Sequence, residues 1–516
     1  MTDEYDKMRV PPYLTLLYTC CMVKIMKDST FLDDNEENQA KFYDRMIPWE
    51  KRLQRELPLL QESLEGTWIL DLACSSGRHS FALESIGFST VGVDISDDMI
   101  QLAKELAIEK KSGSKFVSES IADIKLYQKI AEVGPSYYDS AILLGNAIAN
   151  LGSLDAGLQM LRSVFIMLKP GGRFFLQTVN RPLRPHYNPL RAHGDEIIQR
   201  IMVPVEGEEY NVLLHVNRIH KVDLVYTNQK HDNEFYMYRT DEFSEIIKQI
   251  GFELHHVWGG YDKSPVSNVD GEGTVWLLRK PEITLDERSL ELFNRYNGFQ
   301  AEQIIERTLK IWQDVMSRQW YHCTRGYRFL FPRITSHPRY ADVLQLGKGM
   351  QLLDMGCFMG TDLRQLSIDG EFQSLTGMDR EGIFWESGLE LFDDAERIEI
   401  EFIESDVLSF NMMDRFDIIH AGSLLHLLTE TENESLIHAV FDGLRSGGVF
   451  FGRCVGNETG REDRSGLRYL HSIETLTRLL ERSGFVEISV NVMDAAPIGE
   501  RSMGENTSLG FYAVKS

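Results

Sequence analysis

Along this chain short apolar runs alternate with longer stretches in which apolar residues return every third or fourth position, the pattern of buried strands joined by amphipathic helices. Two runs share one grammar: Ile69-Leu70-Asp71-Leu72-Ala73-Cys74-Ser75-Ser76-Gly77 and Leu352-Leu353-Asp354-Met355-Gly356-Cys357-Phe358-Met359-Gly360 each reach an acid and then break into small residues. Each predicts a parallel strand turning tightly into a helix. A second strand ending in an acid comes after both, Thr90-Val91-Gly92-Val93-Asp94 and Leu375-Thr376-Gly377-Met378-Asp379. Asp71 and Asp354, Asp94 and Asp379, Asp139 and Asp417, and Gly171 and Gly447 all keep an offset of about 280 residues, which predicts two copies of one fold.

In the first copy the pattern places strands at Trp68–Leu72, Thr90–Val93, Lys115–Ser118, Ser140–Leu144 and Gly172–Thr178, with helices such as Met99–Ile108 and Ala156–Met167 between them. The second places them at Gln351–Leu353, Ser374–Met378, Ile398–Ile403, Asp417–His420 and Val449–Arg453. Both close alike: a helix (Asp241–Ile250, Ile473–Arg482), Gly-Phe, a strand, a Gly-containing loop and a last strand (Val275–Arg279, Phe511–Val514). The fold class expected is therefore α/β, with two Rossmann-like seven-stranded sheets in tandem, each with an antiparallel last pair.

The expected organisation is a helical N-terminal segment over 1–66, a first domain over 67–280, a helical connector and cap over 281–345, and a second domain over 346–516. Phe42, Met46, Trp49, Leu53 and Leu57 recur at helical spacing in the first segment, and the apolar run from Tyr13 to Met26 reads as an amphipathic helix. The first domain carries an insertion, 180–240, in which Asn211–Val222 and Glu234–Tyr238 alternate like strands; over the carboxyl ends of parallel strands, such an insertion helps shape a substrate cavity. Helix-forming sequence around Gln300–Met316 marks the connector.

A formal charge of −24 without a basic patch opposes a nucleic-acid partner. The acidic start and the absence of a long apolar run argue against a secretory signal or a membrane span, so the expected setting is cytoplasmic. Six cysteines (Cys20, Cys21, Cys74, Cys323, Cys357, Cys454) show no zinc spacing and read as reduced packing residues; no metal site is expected.

A tight small-residue turn brings backbone N–H groups close to a ligand, and an acid at the end of the next strand can accept from two ribose hydroxyls. Neither turn has the G-x-G-x-x-G sequence a pyrophosphate needs, and Asp71 and Asp354 would repel phosphate there. An acid at that point suits a cationic nucleoside with an amino-acid group, as in S-adenosylmethionine.

With these motifs, both halves resemble class I S-adenosylmethionine-dependent methyltransferases. The first is similar to the small-molecule, glycine/sarcosine-type group through Tyr43-Asp44, Trp49, Arg52, Leu70–His79, Val93–Ser96, Leu144-Gly145-Asn146 and Leu168–Gly172. The second resembles fungal tailoring methyltransferases of polyketide and meroterpenoid pathways, several of which esterify carboxylic acids, through His337-Pro338, Leu353–Phe358, Gly360, Asp362-Leu363-Arg364, Ser405-Asp406-Val407, Ile419-His420-Ala421, Leu425-His426-Leu427 and Gly452-Arg453. The resemblance implies that Tyr43, Arg52, Asp71, Ala73, Gly77, Asp94, Ile95, Asp123, Ile124, Leu144 and Asn146 bind cofactor in the first half. In the second it implies Asp354, Gly356, Gly360, Asp379, Arg380, Asp406, Val407 and His420. Asp123 equally suits helix N-capping.

The usual turn has three alternating glycines, whereas Ala73, Ser75 and Phe358 stand at three of these places here. Their side chains predict ordinary dihedrals, Phe358 above all. Candidate general bases are His426 and His420 in the second half and His79 in the first, and Arg181, Arg184 and Tyr187 could grip an acidic substrate. The expected function is bifunctional O- or N-methylation of small molecules in secondary metabolism; the alternatives are one active half beside a degenerate scaffold, or a non-catalytic cofactor sensor.

Overall fold

The computed structural model describes residues 39–188, 191–193, 196–205, 207, 210–220, 226–462, 468–493 and 506–516. Two compact units divide the chain, Met1–Ile47 and Pro48–Ser516. In the first, a helix covers Gln39–Met46; the run expected at 13–26, with Cys20 and Cys21, lies outside the described residues. The helical spacing through Leu57 does not make one helix. Pro48 disfavours helical geometry at Ile47, and a second helix restarts at Trp49–Ser63.

In the second unit the first sheet is built from β1 (Trp68–Leu72), β2 (Ser89–Asp94), β3 (Lys115–Ser118), β4 (Tyr138–Leu143) and β5 (Leu168–Val179). After the insertion (β6 His186–Tyr187, β7 Arg191–His193, β8 Glu196–Pro204, β9 Asn211–His220, β10 Tyr226–Tyr236) come β11 (Glu253–Trp258) and β12 (Gly273–Arg279). The strand order is β11-β12-β5-β4-β1-β2-β3, with β12 antiparallel to both neighbours. The second sheet repeats it with β13 (Gln351–Met355), β14 (Ser374–Asp379), β15 (Glu401–Glu404), β16 (Phe416–Gly422) and β17 (Leu444–Asn457). After the hairpin β18 (Arg461–Glu462) and β19 (Tyr469–Leu470), β20 (Phe485–Val492) and β21 (Asn506–Lys515) complete the order β15-β14-β13-β16-β17-β21-β20.

Register makes the two sheets superposable residue by residue. Asp71 lies opposite Gly92 and Ile142, and Ile142 opposite Phe175. Asp354 lies opposite Gly377 and His420, and His420 opposite Phe451. The C-terminal ends of β1 and β4, and of β13 and β16, thus open equivalent crevices, where open α/β sheets bind ligands.

Two expectations shift. The strand expected at Ile398–Ile403 begins only at Glu401, because Ile398 N–H bonds back to Asp394 O as a turn. The insertion is a five-stranded antiparallel sheet, richer than the two strand-like runs predicted; the Ile197-Ile198 pair in β8 breaks the alternation that would have shown it.

The connector supplies the helix Ala301–Arg318, which packs against the Leu154–Met167 helix of the first fold and the Gly382–Phe392 helix of the second. Trp312 is fully buried at its centre, 5.9 Å from Phe165 and 5.3 Å from Tyr327 between ring centroids, and one apolar core runs continuously from β1 and β4 into Phe384, Leu391 and Phe392. Buried aromatics of this size dominate the stabilisation of such a seam. The two folds therefore share a core.

Within that core lies Lys280, at the end of β12 and fully buried. Its Nζ donates to Leu168 O at 2.6 Å and sits 3.8 Å from the centroid of Trp312, beside Phe165. Burial drives its pKa far below the ordinary lysine range. The unfolded chain then binds the extra proton, so this residue's contribution makes stability fall as pH drops from the ordinary lysine pKa toward the folded one, with a slope of up to about 1.4 kcal/mol per pH unit. Lys280→Met should raise the thermal midpoint near pH 7, and calorimetric scans should show the gap closing toward pH 10.

Candidate active site

Each β1-type strand leaves its sheet through three alternate residues in the left-handed region: Ala73, Ser75 and Gly77 at φ 51°, 54° and 75°, and Gly356, Phe358 and Gly360 at 70°, 54° and 69°. The expectation of ordinary dihedrals at Ala73, Ser75 and Phe358 is thus overturned. Each costs about 1–2 kcal/mol there, and the surroundings hold it. Phe358 packs its ring 4.4 Å from Phe384 and 6.2 Å from Phe329. Buried Arg364 adds bonds from Nη1 to Met359 O (2.7 Å) and Gly360 O (3.2 Å), while Nε and Nη2 grip Asp394 at 2.7 and 2.9 Å.

What the left-handed middle residue gains is aim. Ser75 N–H donates to Asp94 Oδ2 at 2.8 Å, and Phe358 N–H to Asp379 Oδ2 at 2.9 Å. The other oxygens accept from Ser96 N–H (3.0 Å) and Glu381 N–H (3.2 Å). Both carboxylates are half-buried at the mouth of the crevice, and burial raises the Asp379 pKa. A carboxylate has about four acceptor sites, so capacity remains for a vicinal diol.

Beneath each turn lies a buried acid–histidine–acid set, with its members exchanged between the folds. In the second, His420 Nδ1 meets Asp354 Oδ1 at 2.7 Å, and Asp362 approaches from the next helix while accepting Ile334 N–H at 3.0 Å. Burial pulls the His420 pKa down, but Asp354 and then Asp362 override it and raise it; burial raises Asp362. In the first, the position of Asp362 holds His79, whose Nε2 meets Glu56 Oε2 at 2.8 Å, and Asp71 accepts from Ser80 Oγ at 2.6 Å. Burial raises the Asp71 pKa; for Glu56, burial is outweighed by His79 and Arg52, which lower it. Neither His420 nor His79 is therefore presented as a base: each is buried and committed to a carboxylate.

Arg52, whose Nε bonds Glu56 at 3.1 Å, reaches the end of β4, where a side chain added at Gly145 would meet its Nη2 at 3.0 Å. There Gly145 N–H and Tyr261 O–H both donate to Gln177 Oε1 at 3.1 Å, and Asn146, left-handed at φ 60°, accepts from Val179 N–H. Leu144 is buried beside them. Asp123 and Asp406 each accept the N–H two residues on, from Lys125 (2.8 Å) and Leu408 (2.9 Å), so each shapes a turn; Asp123 does not cap a helix, since the next one has Lys125 at its N-cap, and no helix follows Asp406 before β16. Ile124 is half-buried and Val407 buried; Ile95 and Arg380, next to the ribose acids, are exposed, Arg380 turned toward Glu381. Tyr43 belongs to the other compact unit and is exposed.

The insertion residues separate. Arg181 is committed to Glu242 (2.9 Å) and lies over the Tyr210 ring, so it fastens the insertion to the Thr240–Ile250 helix and is not held out to a substrate; Arg184 and Tyr187 are exposed. In the second fold, His426 stands just beyond β16. Burial first, then Arg333, Arg468, Arg453 and Arg328, push its pKa down to about 3, and among the described residues no group is within hydrogen-bond reach of its Nδ1. It is too weak a base for the role expected of it. Gln177, Tyr261, Glu56 and, around His426, Arg333, Arg468 and Arg328 escaped sequence reasoning, since they come together only across distant segments; of that group only Arg453 was among the residues that carried the resemblance. Cys74, Cys357 and Cys454 are buried free thiols, and among the described residues no cluster could hold a metal and no helix is long and apolar enough to cross a membrane.

Removing one member of a buried ionic set strands the others. His420→Phe should lower stability by about 3–5 kcal/mol in urea titrations, and adding Asp354→Asn and Asp362→Asn should recover most of the loss.

A methyltransferase domain family matches residues 63–235, and a second methyltransferase domain family matches 352–448. Relatives include methyltransferase adrK of Penicillium roqueforti (29% identical, covering 40% of this chain and 79% of adrK) and O-methyltransferase phiE of a fungal species (29%, 36% and 67%). O-methyltransferase atr3 of Stereocaulon alpinum is 25% identical over 49% of this chain and 79% of its own. The CcbJ methyltransferase structure from Streptomyces caelestis aligns at a TM-score of 0.40 and 16% identity, over 46% of this chain and 95% of its own. The residues present fit the cofactor of such domains: each half offers a carboxylate for a ribose diol and a carboxylate where a phosphate would be repelled. This chain carries two methyltransferase domains of Rossmann-like fold in tandem.

Proposed function

We propose that both domains work, making the chain a bifunctional O-methyltransferase of small molecules in secondary metabolism. One observation carries the reading: the same left-handed turn with the same N–H to carboxylate bond is built at Asp94 and at Asp379 from different side chains. A degenerate copy has no reason to keep a strained phenylalanine in that conformation. Relatives named as O-methyltransferases, phiE and atr3, favour oxygen as the acceptor atom.

S-adenosylmethionine supplies an electrophilic methyl group on a sulfonium. Asp94 and Asp379 would hold its ribose, and Arg52 its carboxylate in the first site. The protein's remaining tasks are to align the acceptor oxygen and exclude water. A neutral His426 among arginines takes no proton from a phenol efficiently. A carboxylic acid arrives already ionised and gives up no proton, so that environment favours ester formation in the second domain.

Calorimetry with S-adenosylhomocysteine should show two sites per chain. Asp94→Ala and Asp379→Ala should each weaken one of them by about 10²- to 10⁴-fold, the worth of two hydrogen bonds to a charged group. A single binding event in the wild-type chain would overturn bifunctionality. With labelled donor and a fungal metabolite extract, the Asp94→Ala chain should still form base-labile methyl esters.

A further inference from the structure

With His79 committed to Glu56, the first domain has yet to show a base, and the chain leaving β5 carries an uncommitted imidazole. Asn180, buried just past the end of β5, ties the neighbouring segments together. Its N–H donates to Glu272 O (2.8 Å), its carbonyl accepts Gly271 N–H (3.1 Å), its Nδ2 donates to Ser267 O (2.6 Å), and its Oδ1 accepts from Thr240. The loop before β12 is thereby fixed above the carboxyl end of β5, and His186, held in β6 by pairing with Met202 of β8, lies against it. A Cβ built at Gly271 would stand 2.5 and 2.7 Å from Cδ2 and Cε1 of the ring, and nearer still to Nε2. The imidazole therefore rests with its face on the backbone, and only a glycine, here at φ 75°, leaves it that room.

This is where an acceptor has to lie. The ribose is assigned to Asp94 at the end of β2, so attack from the side away from it comes from above β5 and β12, beyond β4 in the strand order. A bonded path leads there: Asn146, at the end of β4, accepts Val179 N–H at 3.0 Å, and Val179 pairs with Gly273, two residues from Gly271. His186 is half-buried, and among the described residues neither of its ring nitrogens has a hydrogen-bond partner. Asp270, the acid beside Gly271, is already taken by Leu183 N–H (2.9 Å) and Arg239 Nη1 (3.2 Å). The same bonded segments hold large apolar side chains out to solvent, Leu183 at 60%, Val269 at 57% and Val266 at 41% exposure. Apolar side chains grouped on fixed backbone mark a binding surface. Tyr187 is not part of it, because alternation along β6 turns it to the face opposite His186.

We propose that the first domain methylates the hydroxyl of an apolar phenol, with His186 as general base. This rests on the methyl-transfer reading above. A ring nitrogen of His186 takes the O–H proton while the oxygen forms its bond to the methyl group; the S–CH₃ bond breaks with its electrons left on sulfur, and the imidazolium returns the proton to water. Imidazole matches a phenol in this task, since a carboxylic acid is already ionised and an aliphatic hydroxyl is too weak an acid.

The intact chain with labelled S-adenosylmethionine tests it, with 2-naphthol and 4-nitrophenol as probes in mildly alkaline buffer. Wild type should convert 2-naphthol to a base-stable methyl ether, and Asp94→Ala should abolish the product. His186→Ala should lower kcat on 2-naphthol by about 10²- to 10⁴-fold with KM little changed, and added imidazole should restore the rate, a gain that misfolding cannot mimic. On 4-nitrophenol, which is already ionised there, the same variant should lose far less. Leu183→Ser combined with Val269→Ser should raise the KM for 2-naphthol and leave kcat in place. No ether from 2-naphthol in wild type, equal losses on both phenols, or no rescue by imidazole overturns the assignment. Binding of S-adenosylhomocysteine is read on the same samples: its absence in wild type sinks the methyl-transfer reading itself, whereas intact binding with any of those three results sinks only this inference.

Discussion

One hydrogen bond organises each half of this protein: the amide of the middle turn residue donating to the acid that ends the next strand. It runs from Ser75 to Asp94 and from Phe358 to Asp379. The bond forms only if that residue turns left-handed, at a cost of about 1–2 kcal/mol where a side chain is present. Its return is a carboxylate fixed at the crevice mouth by two amides, with lone pairs left for a ligand. The aromatic contacts of Phe358 and the four bonds of Arg364 are the means by which the second fold sustains this geometry without a glycine.

Below the turns, charge balance has been kept while its bearers moved. One fold places histidine on the helix and acids on β1 and the Trp49–Ser63 helix; the other places histidine on β16 and acids on β13 and the next helix. In a low-dielectric interior the set is constrained as a whole, since any lone member would be an uncompensated charge. A histidine near an active crevice is then a poor guide to proton transfer.

The connector makes the tandem one body. Its Ala301–Arg318 helix packs against both folds and buries Trp312 beside Phe165, and it bonds the segment before β4 directly: Gln313 to Ser136 O at 2.6 Å, and Tyr137 O–H to Leu309 O at 2.5 Å. Apolar area of this extent, continuous from sheet to sheet, explains why the two folds form a single compact unit.

The sequence by itself determined the repeat, the strand order's raw material and the ribose acids. Apolar runs of fixed period and an acid after small residues are local signals, written by burial and by backbone geometry. It misjudged Ala73, Ser75 and Phe358 because φ is set by what the amide must reach, which no local propensity records. It offered His79, His420 and Arg181 as working groups because residue type shows chemistry but not commitment, and their partners Glu56, Asp354 and Glu242 lie 23 to 66 residues away. Only the tertiary structure decided those pairings and the shared core, since each depends on contacts between segments far apart in the chain.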